Sequence, residues 1–169
     1  MNNKPIIGST EYVEIANIKN IPAKIDTGAD SSSIWASDID MQPDGTLTFK
    51  LFAPASPLYT GKTLTTKDYM AKLVRSAHGD EQVRYRIKLP FAFGNQAFET
   101  TFTLANRAKN NFPVLIGRRT IAGHFLVDVE IRNVKTSSNL QTNPLNAELQ
   151  KDPYSFHQKY VNIASPDRN

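Results

Sequence analysis

The chain has 169 residues, 40% of them hydrophobic, enough for one domain with a core of its own and too short for two ordinary ones. It contains no cysteine, which excludes disulfides and thiolate metal sites, and its net charge of +4, from 20 Lys and Arg against 16 Asp and Glu, is too mild and too scattered for a nucleic-acid interface. No segment reaches the ~20 apolar residues of a membrane span, and Met1-Asn2-Asn3-Lys4-Pro5 carries no apolar signal stretch. The expectation is a soluble protein without nucleic-acid or membrane partners, cytoplasmic, or periplasmic if a signal peptide has been removed.

Taken in order, Pro5 to Gly8 reads as a short strand, Glu11 to Ile15 as an alternating one, and Asn17 to Asn20 as a turn. Ile21 to Asp26 is the next strand, and the Ser31-Ser32-Ser33 loop leads into a short apolar strand, Ile34 to Ala36, whose Trp35 is assigned to the core. Thr46 to Phe52 alternates Leu47, Phe49 and Leu51 against polar residues, which is a half-buried strand; Thr60 to Lys67 is polar and turn-rich. Tyr69 to Val74 and Gln82 to Leu89 form a long hairpin around 77–81. Ala97 to Leu104 is a strand with Phe98, Thr100, Phe102 and Leu104 on one face. Phe112 to Gly117 is a buried strand, Arg118 to Ala122 one short helix, and Phe125 to Val129 a closing strand.

Residues 1–132 are therefore read as one domain, and the Asn-, Ser- and Gln-rich residues 133–169 as a polar C-terminal extension, partly helical or disordered. In that extension Pro144 is placed to open a helix over Leu145 to Lys151, with Tyr154, Phe156, Tyr160 and Val161 as docking residues.

The chemistry concentrates at Ala23-Lys24-Ile25-Asp26-Thr27-Gly28-Ala29-Asp30. An apolar approach carries a carboxylate into a tight glycine turn, which leaves Asp26 and its neighbours' amides facing a cleft. Asp-Thr-Gly alone arises by chance in roughly one chain in thirty of this length. Here it continues as Ala29-Asp30 and is answered later by Leu115-Ile116-Gly117-Arg118. The competing reading is an ordinary Asx turn between strands.

Together these elements resemble the active-site loop of retropepsin-like aspartic peptidases. With Val74-Arg75-Ser76, Gly79, Arg84 and Thr103 to Arg107 they resemble more narrowly a bacterial family labelled ATP-dependent zinc protease. The resemblance covers about residues 6–131. It implies an all-β, closed half-barrel of acid-protease type, with a flap hairpin, one short helix and a C-terminal extension. It also implies that Gly117 and Arg118 support the loop, Arg118 by pairing with Asp30, and that Thr27 holds two loops together while Gly28 admits substrate. Ala29 and Asp30 are implied to receive the peptide backbone, under a flap bearing Arg75, His78, Gly79 and Arg84. Members of that family are associated with ligases that add glutamates to proteins, which, with the basic flap, implies acidic peptide substrates.

Aspartic peptidases use two carboxylates sharing one proton. This chain holds one Asp-Thr-Gly, so catalysis requires a homodimer that brings two Asp26 together. His78, His124 and His157 are isolated and no zinc-protease, phosphate-loop or nucleophile-elbow motif is present, so no metal and no cofactor is expected. The expected activity is endopeptidase hydrolysis of a peptide or protein substrate. The alternative is a non-catalytic peptide-binding or scaffolding module on the same fold.

Overall fold

The computed structural model describes residues 4–75, 81–134, 148 and 151–160. Strand β1 (Ile6–Ile7) is followed by β2 (Thr10–Ile15) and β3 (Ile18–Ile25). Val13 and Ile15 of β2 face the core, and the β2–β3 turn is Ala16-Asn17, both at positive φ (50° and 65°). That is the backbone a two-residue hairpin with the strands' right-handed twist requires.

Strand β4 (Ser32–Met41) is far longer than the three residues expected from sequence. Its register with β5 (Leu47–Leu51) shifts between Ser37 and Asp40, where Asp38 sits at φ 49°. This bulge breaks the two-residue alternation by which a strand is recognised. Trp35 is half-buried, packed against the core rather than inside it. Strand β6 (Thr63–Thr66) pairs with β5, so the polar stretch assigned to turns is partly an edge strand.

Strands β7 (Tyr69–Arg75) and β8 (Glu81–Phe93) form the expected hairpin, in register from Tyr69 opposite Ile87 to Arg75 opposite Glu81. Strand β8 runs through Pro90, where the sequence suggested an end. The Pro90 carbonyl accepts the Ala16 N–H, so the missing proline N–H also faces the β2 side, and pairing with β9 (Gln96–Ala105) loses nothing. Strand β10 (Val114–Ile116) leads into α1 (Arg118–Ile121), and β11 (Leu126–Val127) returns to pair with β1.

Strand β10 closes the fold, pairing in parallel with β3 and antiparallel with β4. The circuit β3-β2-β8-β9-β4-β10 is thus a closed six-stranded barrel. Its interior is filled by alternate residues of each strand, among them Val13, Ile21, Ile34, Leu89, Phe102 and Val114. Each such side chain contributes roughly 1.5–3 kcal/mol by leaving water. The all-β half-barrel, the hairpin and the single short helix expected of the domain are all present.

The chain divides into two units, residues 1–135 and 136–169. Asn133 and Val134 belong to the first: their amides bond to Thr10, and Asn133 Nδ2 donates to both oxygens of buried Glu11. In the second, the described helix is α2 (Pro153–Tyr160). Asp152 caps it through the Ser155 amide (3.1 Å) and hydroxyl (2.7 Å), and Pro153 takes the first helical position, where its missing N–H costs nothing. Pro144 and Val161 lie outside the described residues.

Candidate active site

Asp26 stands at the end of β3, where the ladder with β10 delivers it: its amide donates to the Ile116 carbonyl at 2.9 Å. The chain then doubles back, and Asp26 Oδ1 accepts the amides of Gly28 (3.0 Å) and Ala29 (3.2 Å). Asp26 Oδ2 accepts no hydrogen bond from any described residue. One carboxylate oxygen is therefore fixed and the other uncommitted. Gly28 is not in the left-handed region; a Cβ there would touch Asp26 Oδ1 at 3.3 Å, so crowding by the carboxylate, rather than the turn, favours glycine. Thr27 and Gly28 are exposed and Asp26 is half-buried.

The loop rests on α1. Arg118 and Arg119 amides donate to the carbonyls of Ala29 (2.8 Å) and Asp30 (3.2 Å). Both guanidiniums reach the Asp30 carboxylate, Arg119 at 2.9 Å and Arg118 at 3.7 Å, so the residue the sequence did not single out is the closer partner. All three side chains are exposed, which limits each pair to about 0.2–1 kcal/mol. At Gly117 loop and helix meet closely: a Cβ would lie 2.6 Å from the Ser31 carbonyl carbon and 2.7 Å from its oxygen.

Beneath this contact runs a chain of hydroxyls that the sequence did not reveal. Ser32 Oγ accepts the Gly117 amide (3.0 Å) and meets Thr120 Oγ1 at 2.7 Å, which in turn meets Thr100 Oγ1 at 2.8 Å. Ser32 and Thr120 are almost wholly buried, each 1% exposed. A legible signal existed, because Ser32 shares the inward parity of Ile34 and Ala36, but a triple serine reads as loop.

Beside the loop lies a cleft of about 410 Å³, lined by residues including Ser31, Ser33, Arg84, Thr103, Asn106 and Arg107. Arg84 is exposed on its rim. Arg86 Nη2 donates to Ser31 Oγ (3.1 Å) while its Nε is buried with no partner. Arg107 donates from Nη1 to Ser33 Oγ (3.3 Å) and from Nε to the Phe112 carbonyl (3.1 Å), and its partial burial lowers its pKa from the ordinary value. None of the ion pairs among the described residues involves Arg84, Arg86 or Arg107. Arg75 closes β7, its side chain outside the described part, and His78 and Gly79 lie outside the described residues. Among the described residues no three His, Cys, Asp or Glu cluster as a metal site would require.

Comparison with known proteins agrees with this geometry. A solved structure of a Legionella pneumophila protein of unknown function superposes with a TM-score of 0.56 at 23% identity, covering 75% of this chain and 95% of that one, which shows a shared fold. Curated relatives named probable alpha-L-glutamate ligase, from Shewanella pealeana (29% identical over 132 residues) and Desulfotalea psychrophila (27% over 130), match 75% and 74% of this chain. The chain spans only 29% and 28% of those relatives' lengths. A family profile described as retropepsin-like aspartic endopeptidase RimB matches residues 6–138. The barrel, the strand-delivered Asp26 and that match over most of the chain agree, and the chain belongs to the RimB-like family of retropepsin-like aspartic endopeptidases.

Proposed function

We propose that the protein is an aspartic endopeptidase whose active centre forms when two copies bring their Asp26 side chains together, and that it cleaves acidic peptides. The observation that carries this reading is the asymmetric carboxylate: Oδ1 is held by two amides and Oδ2 is left for a proton, a water or a second carboxylate. In such a pair the ionised carboxylate takes a proton from water as its oxygen attacks the peptide carbonyl carbon. The protonated partner gives its proton to the carbonyl oxygen. The tetrahedral intermediate then collapses: the first carboxyl passes the proton it took from water to the nitrogen, the second takes a proton from a hydroxyl of the intermediate, the C–N bond breaks and the amine leaves, with the pair restored to its starting state. Exposed Thr27 stands at the loop edge where a second copy would meet it.

The acidic substrate is supported by Arg84 and Arg107 of the cleft, which no ion pair among the described residues involves, and by relatives whose name refers to glutamate ligation. Ala29 and Asp30 would receive the peptide backbone and Arg84, with Arg75, His78 and Gly79 of the flap, would cover it.

A second reading follows from those relatives: the matched stretch is a minor part of chains named as ligases, so the same fold there accompanies glutamate addition. On that reading the cleft holds an acidic peptide without cutting it. Mass-spectrometric analysis of a mixed peptide library, incubated with wild type and with Asp26→Asn, separates the two. Cleavage by wild type alone supports the peptidase; binding of acidic peptides with cleavage by neither protein supports the module.

A further inference from the structure

The Asp26 loop is held by β10, whose Ile116 carbonyl accepts the Asp26 amide, and by α1, whose amides bond to Ala29 and Asp30. A third support reaches it from the opposite side of β3. The Ile25 amide, one residue before Asp26, donates to the Ser9 carbonyl at 2.9 Å, and Ser9 lies in the corner between β1 and β2. That corner is clamped in turn by a strap, residues 131–134. Ser9 donates to the Ile131 carbonyl with both its amide (2.8 Å) and its hydroxyl (3.0 Å). Thr10 takes the next two amides, Asn133 on its carbonyl (3.0 Å) and Val134 on its hydroxyl (3.1 Å). Gly8 lets the strap come this near, since a Cβ there would lie 2.5 Å from the Ile131 carbonyl oxygen.

The strap is clasped by a buried carboxylate that has no part in the chemistry above. Glu11 is 4% exposed. Its Oε1 accepts the Gly8 amide (2.6 Å) and Asn133 Nδ2 (2.9 Å), and its Oε2 accepts the same Nδ2 at 2.8 Å. No ion pair among the described residues involves Glu11. A carboxylate this far from water needs such donors to stay where it is, and Asn133 brings one from the strap. Glu11 therefore joins the strap to the same short segment, Gly8 to Glu11, that holds Ile25. From this unbroken run of contacts, and resting on the peptidase reading above, we infer that Glu11 and Asn133 are positioning residues. They lock residues 131–134 onto the Gly8–Thr10 corner and, through Ser9 and Ile25, set the position of the Asp26 carboxylate.

The test uses the full chain and exchanges donor and acceptor. Asn133→Ala removes the donor and Asn133→Asp sets a second carboxylate against Glu11. Glu11→Gln combined with Asn133→Asp restores a donor–acceptor pair with the roles reversed. Amide hydrogen exchange, followed by NMR under native conditions, compares Ile25 and Ala29, bonded to Ser9 and to the Asp26 carboxylate, with Ala16 just past the far end of β2, bonded to Pro90. Each single variant is expected to speed exchange at Ile25 and Ala29 about tenfold relative to Ala16, the worth of one bond to a charged group, and the double variant to return it to within about twofold of wild type. On a cleaved peptide the single variants should lower kcat about tenfold with KM within about twofold, and the double variant should recover it. Faster exchange at Ser9, Asn133 and Val134 with Ile25 and Ala29 unchanged would overturn the inference, because the clasp would then hold the strap and nothing more. An equal rise at Ala16 would overturn it too, as a loosening of the whole fold. Absence of cleavage by wild type would overturn the peptidase reading, while exchange at Ile25 and Ala29 would still decide whether the clasp reaches the loop.

Discussion

Gly117→Ala is the most informative stability test of this architecture. The added Cβ would stand 2.6 Å from Ser31 C, 2.7 Å from Ser31 O and 3.0 Å from Ala29 O, all backbone atoms that cannot swing aside like a side-chain tip. Relief requires β10 and the Asp26 loop to part. Overpacking of this kind costs roughly 1–3 kcal/mol. Parting also stretches the Gly117 N–H to Ser32 Oγ bond in a buried setting, where a lost partner costs roughly 1–3 kcal/mol. Together the loss should be about 3–5 kcal/mol, or about 10–20 °C in Tm for a domain of this size. Denaturant unfolding with Gly28→Ala as control measures it, since a Cβ at Gly28 meets only Asp26 Oδ1 at 3.3 Å and should shift stability far less. A Gly117→Ala protein within about 0.5 kcal/mol of wild type, below the usual cost of a point change in a core, would refute the claim that this contact fixes the loop.

Thr120→Val, nearly isosteric, removes the hydroxyl between Ser32 and Thr100 and should cost about 1–3 kcal/mol in the same assay; no loss would mean the hydroxyl chain is incidental. Glu11→Gln places an amide N–H₂ against Asn133 Nδ2 while Glu11 now also accepts the Gly8 amide, and should cost about 2–3 kcal/mol; an unchanged midpoint would contradict the tie between residues 131–134 and β2. Asp152 is held below its ordinary pKa of 3.8 first by the Ser155 hydroxyl and then by its amide. Because the folded value is depressed, the cap's contribution is whole above 3.8 and disappears as pH falls through the lower folded value. The Ser155 amide resonance should therefore titrate with a midpoint below 3.8, and a midpoint at or above it would show the cap is absent in solution.

How much of this was legible in the sequence differs by element. The strands with clean alternation, such as Leu47–Leu51 and Gln96–Ala105, announced themselves, because one face meets the core and the other does not. Strand β4 did not, since the bulge at Asp38 shifts the period midway. Strand β6 was hidden by threonines, equally at home in turns and on exposed strand edges. Pro90 looked like a terminator because its neighbour on the β2 side, the Ala16 amide, is invisible in sequence. At the site, Asp26 and Gly117 were marked by residue type in local patterns. Arg119, Ser32 and Thr120 were not, because each earns its place through a partner 88 or 89 positions away in the chain. Local patterns name the groups that must be special; long-range contacts decide what holds them.

The central claim, two Asp26 carboxylates from two copies, is tested most directly by mixing. Wild type is held at fixed concentration, allowed to exchange subunits with increasing Asp26→Asn, and assayed on a peptide identified from the library. If the centre is shared, mixed dimers are inactive, so an equimolar mixture should fall to about half the activity per wild-type chain and a large excess of the variant should extinguish it. Activity per wild-type chain that stays constant at every ratio would contradict the shared centre.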